Sequence, residues 1–176
     1  MKKQLLIIPS IIFFLILFVF FYLLTIERDP SKIPSNLLNK NFPNFESESL
    51  LKENKFIALE EFKNEKILVN FFASWCKPCR DEHDYILQFS KVENLKVIGI
   101  NYKDNSEKAI SWLNKLGNPY SKIAIDKNGA IAINWGVYGI PETFIINSKG
   151  TVKYRHVGPV TKKIYKEINS LIKEIK

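Results

Sequence analysis

The chain of 176 residues holds two cysteines, Cys76 and Cys79, inside the run Ser74-Trp75-Cys76-Lys77-Pro78-Cys79-Arg80. A pair at this spacing can cycle between dithiol and disulfide, can staple a short loop, or can ligate a metal. A closed zinc site needs about four ligands. The chain supplies His83 and His156 besides the cysteines, and Cys76, Cys79 and His83 would share one helix face as a three-ligand site. As a staple, a disulfide closing so short a loop gains little, because its effect on the unfolded chain grows with loop length. A C-x-x-C pair set in a strand–helix–strand context reads as a redox pair.

That context is present. The apolar run Ile67 to Ala73 leads into the pair, and an amphipathic stretch from Lys77 to about Val92 leads out. Cys76 therefore falls at a strand-to-helix junction, near a helix N-terminus. Unpaired N–H groups and the helix dipole favour an anion there, and a thiolate is an anion. Lys77 adds positive charge, and Pro78 suits a first turn, where no N–H partner is needed.

The elements that must position the pair follow from periodicity. Ile67 to Ala73 is apolar at every position but Asn70, nearly the continuous run that a central strand buried on both faces requires. The next helix turns Ile86 and Phe89 inward. Leu95 to Ile100 is a second core strand. Asn105 or Ser106 caps a helix with Ala109, Trp112, Leu113 and Leu116 on one face, closed by Gly117. Lys122 to Asp126 is a short strand, and Lys127-Asn128-Gly129 a turn. Thr143 to Ile146 and Thr151 to Arg155 flank Asn147-Ser148-Lys149-Gly150 as a hairpin. Thr161 to Lys176 carries Ile164, Tyr165, Ile168, Leu171, Ile172 and Ile175 at helical spacing. Phe42 to Phe45 reads as the first extended segment, and Leu59 to Phe62 as a helical turn. Strand, helix, strand, helix, hairpin and closing helix imply an α/β fold, a mixed sheet with helices on both faces.

The N-terminus is of another kind. Met1 to Gln4 is a short basic start, and residues 5–24 carry no charge. Such a run spans roughly 30 Å as a helix, the thickness of a bilayer core. It ends in Phe21-Tyr22-Leu23-Leu24 without a small-x-small cleavage site, which favours an uncleaved signal anchor over a removed signal peptide. Lys2 and Lys3 place the N-terminus in the cytoplasm. Residues 25–40, with Pro30 and Pro34, read as a tether, and residues 41–176 as the domain. The domain then lies in an oxidising compartment, where a dithiol stays reduced only with help. The net charge of +8 comes from 26 Lys and Arg against 18 Asp and Glu, scattered without long basic runs. It reads as a solvated surface rather than a nucleic-acid site.

The W-C-x-x-C run after an apolar strand resembles the thioredoxin fold. Gly139-Ile140-Pro141-Glu142-Thr143 matches the place where that fold has a cis-proline facing the cysteines. Further stretches narrow the resemblance: Asp29-Pro30-Ser31-Lys32-Ile33-Pro34-Ser35, Gly99-Ile100-Asn101-Tyr102-Lys103-Asp104, and Gly136-Val137-Tyr138-Gly139-Ile140-Pro141-Glu142-Thr143-Phe144. Together they resemble the CcmG/DsbE family, membrane-tethered thiol-disulfide reductases of cytochrome c maturation. About sixty residues separate Cys79 from Pro141, room for the additional strand and helix of that family.

The resemblance implies roles. Cys76 is the attacking thiol, more exposed than Cys79, which resolves the mixed disulfide; the two form the redox-active disulfide. Trp75, Ile140 and Pro141 dock substrate. Glu82 and Glu142 are the carboxylates available for acid–base work or for tuning the thiols, with Lys77 favouring the thiolate; His83 is structural. The implied substrate is the oxidised C-x-x-C-H segment of apocytochrome c, reduced before haem attachment with the rest of the maturation machinery. Electrons come from a membrane thiol-disulfide donor, and neither cofactor nor metal is implied. The implied location is the inner membrane, with the domain in the periplasm. Two departures stand out: Asn70 occupies the strand position where thioredoxin buries an aspartate, and Asp84 replaces a helix-kinking proline. Two other functions share the same residues: a periplasmic oxidase or isomerase of this fold, and a tethered copper- or zinc-binding module on Cys76, Cys79 and His83.

Overall fold

A computed structural model describes residues 2–25, 36–52 and 55–175, with side chains from Ile8 onward. The chain divides into an N-terminal unit and a domain beginning near Ile33. The N-terminal unit is one helix, α1 (Lys2–Thr25), long and apolar enough to cross a membrane. It is apolar on all sides, with almost all its described side chains exposed, a surface that suits lipid rather than water. Most of the expected tether, residues 26–35, lies outside the described residues.

The domain opens with a turn over residues 36–39, bonded to the far edge of the sheet through Asn39 N–H and the Val152 carbonyl at 2.8 Å. Phe42 to Phe45 is not a strand. The first strand, β1 (Glu46–Glu48), comes after it and pairs antiparallel with β2 (Phe56–Ala58). A 3-10 turn over Leu59–Phe62 follows, as expected.

The core elements are β3 (Lys66–Phe72), α2 (Lys77–Phe89), β4 (Leu95–Tyr102), α3 (Ser106–Leu116), β5 (Lys122–Asp126), α4 (Ala130–Asn134), β6 (Glu142–Ile146), β7 (Val152–Val157) and α5 (Lys162–Glu174). The five-stranded sheet runs β5-β4-β3-β6-β7, parallel from β3 to β5 and antiparallel across β6 and β7. This is a thioredoxin-like order, with β5 and α4 lying between α3 and β6. Of these, α4 has no counterpart in the sequence reading.

Strand alternation divides the core in two. Ile67, Val69 and Phe71 face one side, with Trp135 and Phe144. Leu68 and Phe72 face the other, with Ile86 and Phe89 of α2, Trp112 of α3 and Ile168 of α5. Asn70 falls between Leu68 and Phe72 in this alternation, so it is aimed at α2. Beside Asn70 in the register is Gly99. A Cβ there would sit 2.9 Å from Phe72 and 3.0 Å from Tyr120. Gly99 thus leaves the space in which those two rings stack, 4.7 Å apart.

Candidate active site

Strand β3 ends at the sheet's C-terminal edge, where ligands of open α/β sheets gather. Cys76 follows as the N-cap of α2, and its sulfur accepts the backbone N–H of Cys79 at 3.1 Å. Serine or aspartate usually fills that role. Here a sulfur receives the helix's free donor, the arrangement that stabilises a thiolate once the pair is reduced. Cys76 and Cys79 are joined by a disulfide. Both are buried, Cys76 4% and Cys79 2% exposed, so the expected difference in access is slight in this oxidised state. Lys77 projects into solvent, where its field at the sulfur is screened.

The Ile140–Pro141 peptide is cis. The Ile140 carbonyl oxygen lies 3.8 Å from Cys76 Sγ, so the loop expected to face the cysteines does face them. Trp75, 59% exposed, and Tyr138, 58% exposed, present aromatic surface on the two loops. Trp75 is not loose, since its Nε1–H donates to the Lys103 carbonyl at 3.1 Å.

Glu82 is 1% exposed. It lies one turn beyond Cys79 on the same face of α2. Its Oε1 accepts from Asn70 Nδ2 and its Oε2 from Val160 N–H, both at 2.8 Å. Burial pushes its pKa up to about 8, against the opposing pull of those two donors. Asn70 therefore does not replace the aspartate of thioredoxin as an acid; it hands a hydrogen bond to an acid on the helix.

Glu142 has a different partner from the thiols expected for it. It is fully buried against Arg155, with Arg155 Nε donating to its Oε2 at 2.8 Å, and its Oε1 accepts from Tyr138 N–H at 3.3 Å. Arg155 also donates to the Gly136 carbonyl at 2.8 Å and stacks over Tyr138. The geometry is that of a strut under the loop from Gly136 to Pro141. His83 Nε2 lies 2.9 Å from the Gly117 carbonyl, and its ring meets Trp112 edge-on at 4.4 Å. Burial lowers its pKa, and since a carbonyl oxygen only accepts, Nε2–H is the donor. In this state the sulfurs are bonded to each other and His83 Nε2 is bonded to the Gly117 carbonyl at the end of α3.

The Redoxin family matches residues 37–172. A thiol:disulfide interchange protein DsbE of Vibrio cholerae is 42% identical over 170 residues, covering 95% of this chain and 92% of its own. DsbE of Escherichia coli is 40% identical over 171 residues, with the same coverage of both chains. The chain belongs to the DsbE family of thiol:disulfide interchange proteins. Among solved structures, a DsbF homologue from Corynebacterium diphtheriae superposes with a TM-score of 0.71 at 18% identity, covering 84% of this chain and 97% of its own; that likeness shows the fold. As a DsbE relative, the protein is a thiol-disulfide oxidoreductase.

Three residues of this DsbE site escape the sequence reading. Asp104 accepts Ser74 N–H at 2.6 Å, Ser74 Oγ–H at 2.8 Å, Asn101 Nδ2 at 3.0 Å and Asn105 N–H at 2.8 Å. It ties the turn that carries Trp75 and Cys76 to the end of β4. Arg155 braces the proline loop. Tyr120 donates its hydroxyl proton to Asn70 Oδ1 at 2.7 Å. Asp104 closes the Gly99–Asp104 stretch and Arg155 ends the expected second strand of the hairpin, but nothing local marks Tyr120.

Proposed function

We propose that this protein reduces the C-x-x-C-H disulfide of apocytochrome c before haem attachment. The observation that carries the reading is the Ile140 carbonyl at cis-Pro141, 3.8 Å from Cys76 Sγ. A backbone acceptor beside the attacking sulfur fits an extended peptide lying alongside as an added strand, and membership of the DsbE family supplies the client class. Exposed Trp75 flanks the same position, and the Arg155–Glu142 strut holds the opposite loop in place.

In this mechanism the Cys76 thiolate attacks one sulfur of the substrate disulfide. A mixed disulfide forms and the first substrate thiolate leaves. Cys79 then loses its proton and attacks Cys76 Sγ. The second substrate thiol is released, and the Cys76–Cys79 disulfide closes, the state seen in the structure. Two electrons pass to the substrate, and a membrane dithiol donor returns them to the protein. Glu82, on the Cys79 face of α2, takes the Cys79 proton when it is ionised, the minor form below about pH 8. A carboxyl near 8 matches an ordinary thiol near 8.5, so transfer between them costs little. Helix α1 holds the domain on the periplasmic side of the inner membrane, where the rest of the maturation machinery works.

The test is a Cys79→Ser variant mixed with an oxidised C-x-x-C-H peptide. It is expected to accumulate a mixed disulfide through Cys76 that a Cys76→Ser variant does not form. If only unrelated disulfide peptides are trapped, the client is not apocytochrome c.

A further inference from the structure

Tyr120 lies between α3 and β5, outside any helix or strand, and yet is buried in the core under α2. Its ring occupies the space left by Gly99, against Phe72. Its hydroxyl reaches Asn70 Oδ1 at 2.7 Å. On the other side of the same carboxamide, Nδ2 reaches Glu82 Oε1 at 2.8 Å and Thr143 Oγ1 at 3.2 Å. Burial, and next the Glu82 charge, keep the Tyr120 pKa well above its ordinary value, so the phenol keeps its proton.

A carboxamide has one acceptor end and one donor end. Only one orientation of Asn70 keeps its acceptor end on the phenol proton that Tyr120 donates. That orientation turns Nδ2 toward Glu82. An Nδ2 donor favours the ionised carboxylate, whereas a turned carboxamide would offer Oδ1 and favour the protonated acid.

We propose that Tyr120 is a positioning residue for proton transfer in this site: by donating to Asn70 Oδ1 it locks the carboxamide with Nδ2 on Glu82, holding Glu82 as a proton acceptor. The inference rests on the reading of Glu82 as the group that receives the Cys79 proton. The other groups facing Glu82 are accounted for. Val160 N–H from the segment before α5 donates to Oε2. Thr143 of β6 shares Asn70 Nδ2. His156 of β7, paired with Thr143, has its Nε2 3.2 Å from the Pro159 carbonyl. On α2 itself, Cys79 is bonded to Cys76 and His83 is committed to Gly117.

The experiment follows the Glu82 carboxyl by carbon-13 NMR across pH in the full-length, oxidised protein in detergent. Tyr120→Phe frees Asn70 to turn, and the Glu82 midpoint is expected to rise by roughly 0.5–1 pH unit. In an Asn70→Ala background the same Tyr120→Phe change is expected to move the midpoint no further. An unmoved midpoint, or an equal shift in both backgrounds, overturns the proposal. Should Tyr120→Phe fail to fold, the wild-type protein still decides: the Asn70 Nδ2 protons are expected to shift with the Glu82 titration, and their indifference to it overturns the link. Failure of the underlying reading is separable. It shows as a Glu82→Gln variant whose pH profile for peptide reduction matches the wild type, whatever the NMR midpoints do.

Discussion

Glu82 is held between opposing influences. Two N–H donors at 2.8 Å stabilise its charge, and burial opposes it. Burial wins, leaving the pKa at about 8 against a model-compound value of 4.5. The consequence for stability follows from linkage. Between 4.5 and 8 the unfolded chain has lost this proton and the folded one keeps it, so stability falls as pH rises through that window. Ionising the group inside the fold costs on the order of 4–5 kcal/mol relative to the unfolded chain. Below 4.5 both states are protonated and the slope disappears. Denaturant midpoints of the oxidised protein between pH 5 and 8 are expected to decline for the wild type and to flatten for Glu82→Gln. Parallel slopes for the two proteins would show that Glu82 does not titrate in this range. Glutamine brings its own penalty, because its amide must face either Asn70 Nδ2 or Val160 N–H, donor against donor. A uniform loss of about 1–3 kcal/mol is therefore expected on top of the flattened slope.

At the scale of elements, two tethers hold the loops around the disulfide. Asp104 fastens the β3–α2 turn to β4, and Arg155 of β7 fastens the proline loop through Glu142 and the Gly136 carbonyl. The Arg155–Glu142 pair is buried on both sides, so removing one partner strands the other's charge. Arg155→Ala is expected to destabilise the domain by about 3–5 kcal/mol. The double variant Arg155→Ala, Glu142→Gln is expected to recover a good part of that loss in urea denaturation while peptide reduction stays slow, because the loop has lost its brace. Equal stability of the single and double variants would mean the pair carries no buried charge. These tethers also show where the sequence stops being readable. Apolarity broken only by Asn70 marks residues 67–72 of β3, and helical spacing marks α2, α3 and α5, because burial repeats with the element's own period. The strand alternation of Leu68, Asn70 and Phe72 even aims Asn70 at α2. Helix α4 has no such signal: it is one short turn of Ala and Ile whose first N–H groups are capped by Asp126, on the strand before it. Strand β1 is Glu-Ser-Glu, polar throughout, and exists because its neighbour supplies the ladder. Tyr120 is reached only through the space that Gly99 leaves two elements away.

For the whole molecule, the question is what the anchor contributes to the chemistry. Among the described residues, both halves of the domain core are built from the domain's own side chains, of which Leu37 is the earliest packed against either. The sheet is covered on one face by α2, α3 and α5 and on the other by Leu59 and Phe62 of the 3-10 turn, by Ile131 and Ala132 of α4 and by Trp135. At the β5 edge Leu50 N–H bonds to the Ile123 carbonyl, and at the β7 edge Asn39 N–H bonds to the Val152 carbonyl. Folding, the helix N-terminus under Cys76 and the proline loop are thus accounted for by described residues of the domain itself. In the proposed role of α1 as an anchor, its contribution is one of local concentration, since tethering keeps a domain near partners in the same membrane without altering its intrinsic rates. A protein beginning at Ile33 is expected to fold with an unchanged denaturation midpoint. It should reduce a soluble disulfide peptide within about twofold of the full-length rate, while no longer sedimenting with membranes. Reduction of the domain by a membrane-embedded dithiol donor should fall much more steeply, because that encounter loses its confinement to a surface. Stopped-flow measurement with peptide and with donor-containing vesicles separates the two effects. A truncated domain that loses peptide activity would assign α1 a part in the catalytic fold itself.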